Sequence, residues 1–266
     1  MKNVFFIPTP IGNLGDITLR AIEILKYVDF IYAEDTRNTL KLLNHLKIKK
    51  PLKSYNKDNE KILTQKVLEH VKGGDTLGIV SDAGTPCISD PGQFLVKRLI
   101  ENDIPFEVLP GANAILPALV MSGFDTSSFY FAGFLHHNVN KRKKEISELT
   151  RMKTSIILFE SPHRLKSTLS ILLQHFRTPI AACREITKKF EQMTYINSET
   201  DIENVTLKGE FVIIINNNIS SEKSDDEPDY IEIEKLKKEG FTKRDIVKIM
   251  QIFGFKRNKV YKLLNK

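Results

Sequence analysis

Carboxylates lie beside basic side chains in two short segments, EDTR at 34–37 and ESPHR at 160–164, each directly after an apolar run. A carboxylate or an imidazole in such a position can act as a general base, and an arginine can bind phosphate through its planar fork of donors. The candidate catalytic residues are Glu34, Asp35, Arg37, Glu160, His163 and Arg164. The residue types do not decide which of the two segments supplies the general base. A structural ion pair is the other interpretation of EDTR, because a buried unpaired charge is costly.

A loop rich in glycine and proline follows another apolar run. Residues 78–92, GIVSDAGTPCISDPG, contain two aspartates, three glycines and two prolines. Small residues and preset turns suit a rigid loop that approaches a ligand through its backbone. Asp82 lies at the expected carboxyl end of a strand, where α/β sheets bind ligands. This loop is the strongest single indication of a binding site.

Three further segments have the same strand-then-turn pattern: PTPIGNLGDIT at 8–18, LPGANAILPAL at 109–119 and CREIT at 183–187. The first lacks both the GxGxxG pattern of dinucleotide-binding folds and the lysine of a phosphate-binding loop. A dinucleotide-dependent oxidoreductase and a nucleoside triphosphatase are therefore disfavoured. Most of these segments follow strand ends, which meet at one edge of a parallel sheet, so we expect one shared cleft.

Short apolar strands alternate with amphipathic helices through residues 1–216, which predicts α/β layers with substantially parallel sheets. A closed eight-stranded barrel is the less favoured alternative, and the break near Tyr195 predicts antiparallel strands in the second half. The expected strands are Val4–Pro8, Phe30–Ala33, Thr76–Val80, Pro105–Leu109, Phe129–Gly133, Thr154–Phe159, Pro179–Arg184 and Glu210–Asn216. The expected helices are Ile17–Val28, Thr39–His45, Lys61–Val71, Gly92–Glu101, Ala114–Ser122 and Arg164–Phe176.

Four regions follow from this pattern. We expect an N-terminal α/β lobe at 1–114 and a second α/β lobe at 115–216. Residues 217–228 are polar and acidic, which is typical of a linker. Residues 229–266 are expected to form a small helical domain, with Thr242 capping one of its helices.

The formal net charge of +7 is unevenly distributed. Residues 235–266 hold 11 lysines and arginines against two acidic residues, whereas the chain before them is nearly neutral. A basic region of this kind suits a nucleic-acid backbone. We expect this tail and the run 141–144 to bind RNA. The alternative is that the tail packs as a dimer or stability element.

Other classes are disfavoured. No apolar run is long enough to span a membrane, and the apolar start of the chain is too short for a signal peptide. Cys87 and Cys183 lie far apart, with no cluster that would hold zinc. We therefore expect a cytoplasmic protein without a metal or a membrane partner.

The same segments resemble the tetrapyrrole methylase superfamily over nearly the whole chain, and within it the branch that methylates ribosomal RNA. The motifs are TPIGNLGDIT, EDTR, SDAGTP with ISDPG, LPGANA, GF at 123–124 and at 133–134, ESPHR, RE with T at 184–187 and GE at 209–210. True tetrapyrrole methylases resemble the chain less, because they usually carry glycine-rich loops where this chain has Pro8-Thr9-Pro10.

The resemblance implies two lobes of the class III S-adenosylmethionine methyltransferase type, with the donor in the cleft between them, and a homodimer. It implies methylation of the ribose 2′-oxygen of cytidine 1402 of 16S rRNA, in the small ribosomal subunit. It also implies these cofactor-binding residues: Pro8, Ile11, Asp82, Gly84, Thr85, Ala114, Ile115, Leu158, Phe159, Cys183 and Gly209.

Two other functions stay open at this point. A tetrapyrrole carbon methyltransferase would need an uncharged or acidic cleft that holds a macrocycle, and it leaves the basic tail unexplained. A non-catalytic RNA-binding protein would bind the donor without turnover.

Overall fold

The computed structural model describes residues 2–218, 233, 236–252 and 257–264. Contacts divide the chain into two compact units, residues 1–217 and residues 218–266. Among the described residues, no helix combines the length and the apolar character that crossing a bilayer requires. The same residues contain no cluster of histidine, cysteine and acidic side chains that could hold a metal ion.

The first sheet of the larger unit is entirely parallel. Its strands are β1 (Val4–Phe6), β2 (Phe30–Ala33), β3 (Leu52–Ser54), β4 (Leu77–Val80) and β5 (Phe106–Val108), in the order β3-β2-β4-β1-β5. The crossover helices are α1 (Leu19–Tyr27), α2 (Thr36–His45), α3 (Glu60–Lys72) and α4 (Gln93–Glu101). Phe6 and Ile79 belong to one apolar cluster, and Phe5 and Ile31 to another. Helices thus bury both faces, as parallel sheets require.

The second sheet is mixed. Its strands are β6 (Phe129–Phe134), β7 (Ser155–Glu160), β8 (Ile180–Arg184), β9 (Gln192–Ile196) and β10 (Phe211–Asn216), in the order β6-β7-β10-β8-β9. Only β6 and β7 pair in parallel, and the other pairs are antiparallel. Its helices are α5 (Ile115–Ser122), α6 (Val139–Leu149), α7 (Leu165–His175) and α8 (Glu199–Glu203). Alternate residues of β7 enter different clusters, with Leu158 on one face and Ile157 on the other.

The predicted α/β class and the antiparallel strands of the second half are confirmed, and the closed barrel is wrong because the strands form two open five-stranded sheets. Strands β3 and β9 and helices α6 and α8 were not predicted from the sequence. Strand β3 is a three-residue edge strand that is not fully buried, so it has no apolar signature. Helix α6 carries the charged run NKRKKE and buries Ile146 and Leu149, a pattern that the basic residues obscure.

The smaller unit contains α9 (Lys243–Ile252) and α10 (Arg257–Leu264), which share an apolar core that includes Ile246, Met250 and Val260. Thr242 accepts a hydrogen bond at Oγ1 from the amide of Asp245, at 3.3 Å, as expected of a capping residue. Most of the predicted linker, residues 219–228, lies outside the described residues. So do residues 229–232, 234–235, 253–256 and 265–266 of the predicted basic domain.

Candidate active site

One cavity of about 640 Å³ lies between the two sheets. Ten of the residues predicted from sequence line it: Ile11, Glu34, Asp82, Gly84, Thr85, Ala114, Ile115, Phe159, Glu160 and Gly209. The loops that carry them follow the carboxyl ends of β1, β2, β4, β5 and β7, or precede β10. The strand-end pattern of the sequence therefore leads to one cleft, of a size typical of small-molecule sites.

Hydrogen bonds between distant loops hold the cleft together. Thr9 and Gly84 exchange two backbone hydrogen bonds of 3.0 and 2.9 Å, which join the 8–18 segment to the 78–92 loop. The amide of Asn13 donates to Thr187 Oγ1 at 3.1 Å, which links the same segment to the loop after β8. A Cβ on Gly209, whose φ is +92°, would lie 2.5 Å from the side chain of Glu185. The positive φ and this close approach favour glycine at residue 209, which also lines the cavity.

The other predicted residues do not line the cavity. Leu158 faces the opposite side of its sheet, and Cys183 is buried among apolar side chains beneath α5. Pro8 is buried, and a Cβ on Gly111 would lie 2.6 Å from its ring. His163 is exposed outside the lining. Of the residues predicted to bind the cofactor, Pro8, Leu158 and Cys183 could therefore act only through the backbone or by supporting the cleft.

Asp35 and Arg37 form an ion pair beside the cleft. Arg37 Nη2 lies 2.6 Å from Asp35 Oδ2, and Asp35 Oδ1 accepts a hydrogen bond from the Arg37 amide at the start of α2. These bonds from Arg37 lower the pKa of Asp35 to about 2. The charge of Asp35 is thus stabilised, which makes this carboxylate a weak base.

Glu34 and Asp82 lie side by side within the cavity. The Asp82 amide donates to Glu34 Oε2 at 3.4 Å, and Asp82 in turn accepts from the Asp35 amide at 3.0 Å and from Asn38 Nδ2 at 3.2 Å. Burial is the main cause that raises the pKa of Glu34, and the charges of Asp82 and Asp35 add to it. A carboxylate whose ionised form is disfavoured in this way is a stronger base.

Asp90 is a site residue that the sequence analysis did not single out. It lines the cavity within the ISDPG segment. Burial, followed by the negative charge of Glu34, raises the pKa of Asp90 to about 6. In the sequence, only its place in the glycine- and proline-rich loop indicated that Asp90 belongs to the site. Its raised pKa could not be predicted, because Glu34 lies 56 positions earlier in the chain.

Glu160 is held by its neighbours. Its Oε1 accepts hydrogen bonds from Arg164 Nε at 2.8 Å and from the Ser161 amide at 2.8 Å, and Oε2 accepts from Thr168 Oγ1 at 2.6 Å. Arg164 Nη2 lies 2.6 Å from the same carboxylate, whose side chain is 1% exposed. Arg164 also donates to the carbonyl of Leu135. Both charged groups are thus engaged in a buried structural pair.

The described residues that line the cavity include Glu34, Asp82, Asp90 and Glu210, and none of them is a lysine, arginine or histidine. The rest of the lining is largely apolar and includes five phenylalanines. A cleft of this kind attracts a positively charged group, and its described lining residues include no basic side chain that would bind a phosphate.

Residues 3–203 match the family of Tetrapyrrole (Corrin/Porphyrin) Methylases. The chain belongs to the tetrapyrrole methylase family. This finding confirms the resemblance drawn from the motifs, and with it the prediction of a methyltransferase.

Curated relatives resemble this methylase over most of its length. A protein of Halalkalibacterium halodurans, named ribosomal RNA small subunit methyltransferase I, is 42% identical over 219 residues, which are 81% of this chain and 76% of that protein. A protein of the same name from Bacillus subtilis is 41% identical over 231 residues, 85% of this chain and 79% of its own length.

Solved structures share the fold of this methylase. A uroporphyrin-III C-methyltransferase from Thermus thermophilus, in complex with S-adenosyl homocysteine, superposes with a TM-score of 0.58, at 17% identity, over 82% of this chain and 98% of that one. A diphthine synthase gives a TM-score of 0.65 at 10% identity, over 80% of this chain and 89% of that one. At such identities the likeness concerns the fold alone.

Proposed function

We propose that this methylase transfers a methyl group from S-adenosylmethionine to the 2′-oxygen of a cytidine in 16S rRNA, at position 1402 in the usual numbering. The observation that carries the proposal is an acidic cleft, free of basic side chains among its described residues, in a chain whose relatives at 41–42% identity are named ribosomal RNA small subunit methyltransferase I. With a ribosomal substrate, we infer a cytoplasmic enzyme. We also infer a homodimer, as the family resemblance implies.

The cleft fits the methyl donor. S-adenosylmethionine supplies an electrophilic methyl carbon on a positively charged sulfur. Glu34, Asp82 and Asp90 attract that positive charge, while Ile11, Ala114 and Ile115 form an apolar wall. Gly84 and Gly209 line the cavity without a side chain, so polar groups of the donor can approach their backbone closely. The 1–114 lobe contributes to both RNA and donor binding in this proposal, and the 115–216 lobe to donor binding.

Glu34 and Asp90 are the general-base candidates. A ribose hydroxyl is a poor nucleophile until its proton leaves, and a positioned base adds about 10²–10⁴-fold to the rate. Asp35 is a weak base beside Arg37, and the oxygens of Glu160 already accept several hydrogen bonds. The raised pKa values of Glu34 and Asp90 lie nearer to neutral pH, where a base works best. Asp90 with a pKa of about 6 is ionised at pH 7.5.

The deciding assay offers tritiated S-adenosylmethionine and small ribosomal subunits from a strain that lacks the corresponding gene. We expect label in 2′-O-methylcytidine after nucleoside digestion. Glu34→Gln or Asp90→Asn should lower kcat by about 10²-fold or more. Asp103→Asn, an exposed aspartate of a turn outside the cleft, is the matched control and should leave kcat unchanged.

Three results would overturn parts of the proposal. Label in a tetrapyrrole but not in RNA would favour the carbon methyltransferase, an alternative that the acidic cleft alone does not exclude. Donor binding without transfer would favour a non-catalytic RNA-binding protein. If both carboxamide variants kept kcat within threefold of wild type, the base assignment would fail.

A further inference from the structure

Three phenylalanines of β6 face the cleft: Phe129, Phe131 and Phe134. This aromatic stripe lies on an edge strand, since β6 is the first strand of the second sheet. Phe131 is half-buried, whereas Phe134 is 56% exposed and Phe129 is 41% exposed. Aromatic ring surface is therefore exposed at the rim of the cavity, and the proposed methyl transfer assigns no role to these rings.

A β-bulge directs the last ring of the stripe into the cleft. In a regular strand Phe131 and Phe134 would point to opposite faces, because side chains alternate. The pairing of β6 with β7 shifts its register between Phe131 and Gly133, where Gly133 has a φ of +66°. After the shift, Phe134 lines the same cavity as Phe131. Bulges that re-aim a side chain in this way are common beside active sites.

The ring of Phe134 is supported from the cleft wall. It contacts Phe159 edge to face, with ring centroids 5.5 Å apart and planes at 61°, and Phe131 contacts Phe159 similarly at 4.9 Å. Phe159 thus holds both rings, and the exposed fraction of Phe134 leaves ring surface available to a flat group. Such surfaces bind nucleobases by stacking, whatever the base.

The charges of the cleft favour a base over a phosphate at this position. Glu34, Asp82 and Asp90 line the same cavity, and no cation is found among its described lining residues. Phosphates would be repelled there, while a neutral planar base would not. We therefore expect the nucleoside of the target to enter with its backbone outside, as in enzymes that extrude a nucleotide from its stack.

We propose that Phe134 is the platform on which the base of the target nucleotide stacks while its ribose is presented to the carboxylates. This inference rests on the proposed function and adds the residue that positions the substrate. The adenine of the methyl donor is the competing occupant of the ring, and the test below separates the two.

The test compares Phe134→Leu, Phe134→Tyr and the control Phe190→Leu. Phe190 is 62% exposed and does not line the cavity. Three quantities are measured: KM for small ribosomal subunits, Kd for S-adenosyl homocysteine by calorimetry, and fluorescence quenching of a short single-stranded oligoribonucleotide that contains one pyrrolocytidine. Thermal melting shows that each variant is folded, which we expect because the ring of Phe134 is largely exposed.

We expect Phe134→Leu to raise KM for the subunits by about tenfold or more and to abolish the quenching. The Kd for S-adenosyl homocysteine should stay within twofold of wild type. Phe134→Tyr should restore both RNA readouts, since it retains the ring, and Phe190→Leu should match wild type.

Wild-type KM and quenching in Phe134→Leu would overturn the inference. So would a weakened Kd for S-adenosyl homocysteine, which would assign the ring to the donor. If the wild-type enzyme left subunits unmethylated while quenching still required the ring, the proposed function would fail and the stacking site would stand.

Discussion

Asp90 illustrates a conflict between function and stability at a single residue. Its pKa is raised from 3.8 to about 6, mainly by burial and then by Glu34, so the folded protein binds the proton more tightly than the unfolded chain does. The neutral form therefore contributes stability below pH 3.8, and that contribution is lost as the pH rises through about 6. At neutral pH the ionised side chain lowers the free energy of unfolding.

We expect Asp90→Asn to raise Tm at pH 8 and to leave it nearly unchanged at pH 4, and to lower kcat at pH 8, where Asp90 of the wild type is ionised. In the wild type, kcat/KM should decrease as the pH falls through about 6, because Asp90 becomes protonated. Thermal melts and rate profiles across this range check both effects. A Tm gain of equal size at both pH values would contradict the linkage argument.

Glu160 accepts hydrogen bonds from several donors and pairs with Arg164. Glu160→Gln removes the charge opposite Arg164 and leaves that guanidinium partly buried without its partner. We expect a loss of about 3 kcal/mol in the free energy of unfolding, measured in urea. Arg98→Ala, which breaks a surface pair with Glu101 on α4, should cost much less. Equal losses in the two variants would contradict a buried structural pair.

At the scale of the element, the bulge in β6 depends on Gly133. Gly133→Ala is unfavourable for two reasons. Alanine would have to adopt the left-handed φ of +66°, and its Cβ would lie 3.3 Å from Ser89 Oγ on the facing loop. Gly123→Ala is the matched control, because its φ is +67° and no atom lies within 4 Å of the added Cβ.

Both variants should lose about 1 kcal/mol of unfolding free energy to backbone strain. Only Gly133→Ala should raise KM for small subunits, because it disturbs the contact beside the aromatic stripe. Steady-state kinetics and urea titrations measure the two effects. An identical rise in KM for the two variants would show that the bulge has no special part in substrate binding.

At the scale of the whole molecule, the basic helices remain a proposed RNA-binding region. Arg244 and Lys248 are exposed one turn apart on α9. In the predicted basic run 141–144, by contrast, Arg142 is 2% exposed and donates to Ser167, so its charge is not available to bind RNA. Replacing Arg244 and Lys248 together by glutamine should weaken RNA binding and reduce the salt slope of log K by about 1.4. An unchanged slope would favour the alternative of a stability or dimer element. Lys26→Gln with Lys66→Gln is the control.

Local sequence patterns predicted most of the segments that form the site. Glycine and proline cluster after apolar runs at 8–18, 78–92 and 109–119, and parallel strands place such loops at one edge. Their convergence on one cavity could thus be expected before the fold was known. Residues 34 and 160 were likewise found, because Glu34 directly follows β2 and Glu160 is the last residue of β7.

The roles within the site depend on residues that are far apart in the chain. The raised pKa of Asp90 requires Glu34. Glu160 accepts from Thr168 and from Arg164, which in turn donates to the carbonyl of Leu135, and a Cβ added at residue 133 would contact Ser89. Motifs and periodicity are local signals, so they predicted strands, turns and the shared cleft. Burial, electric field and hydrogen-bond partners are set only when the sheets pack, and these properties separate a base from a structural ion pair.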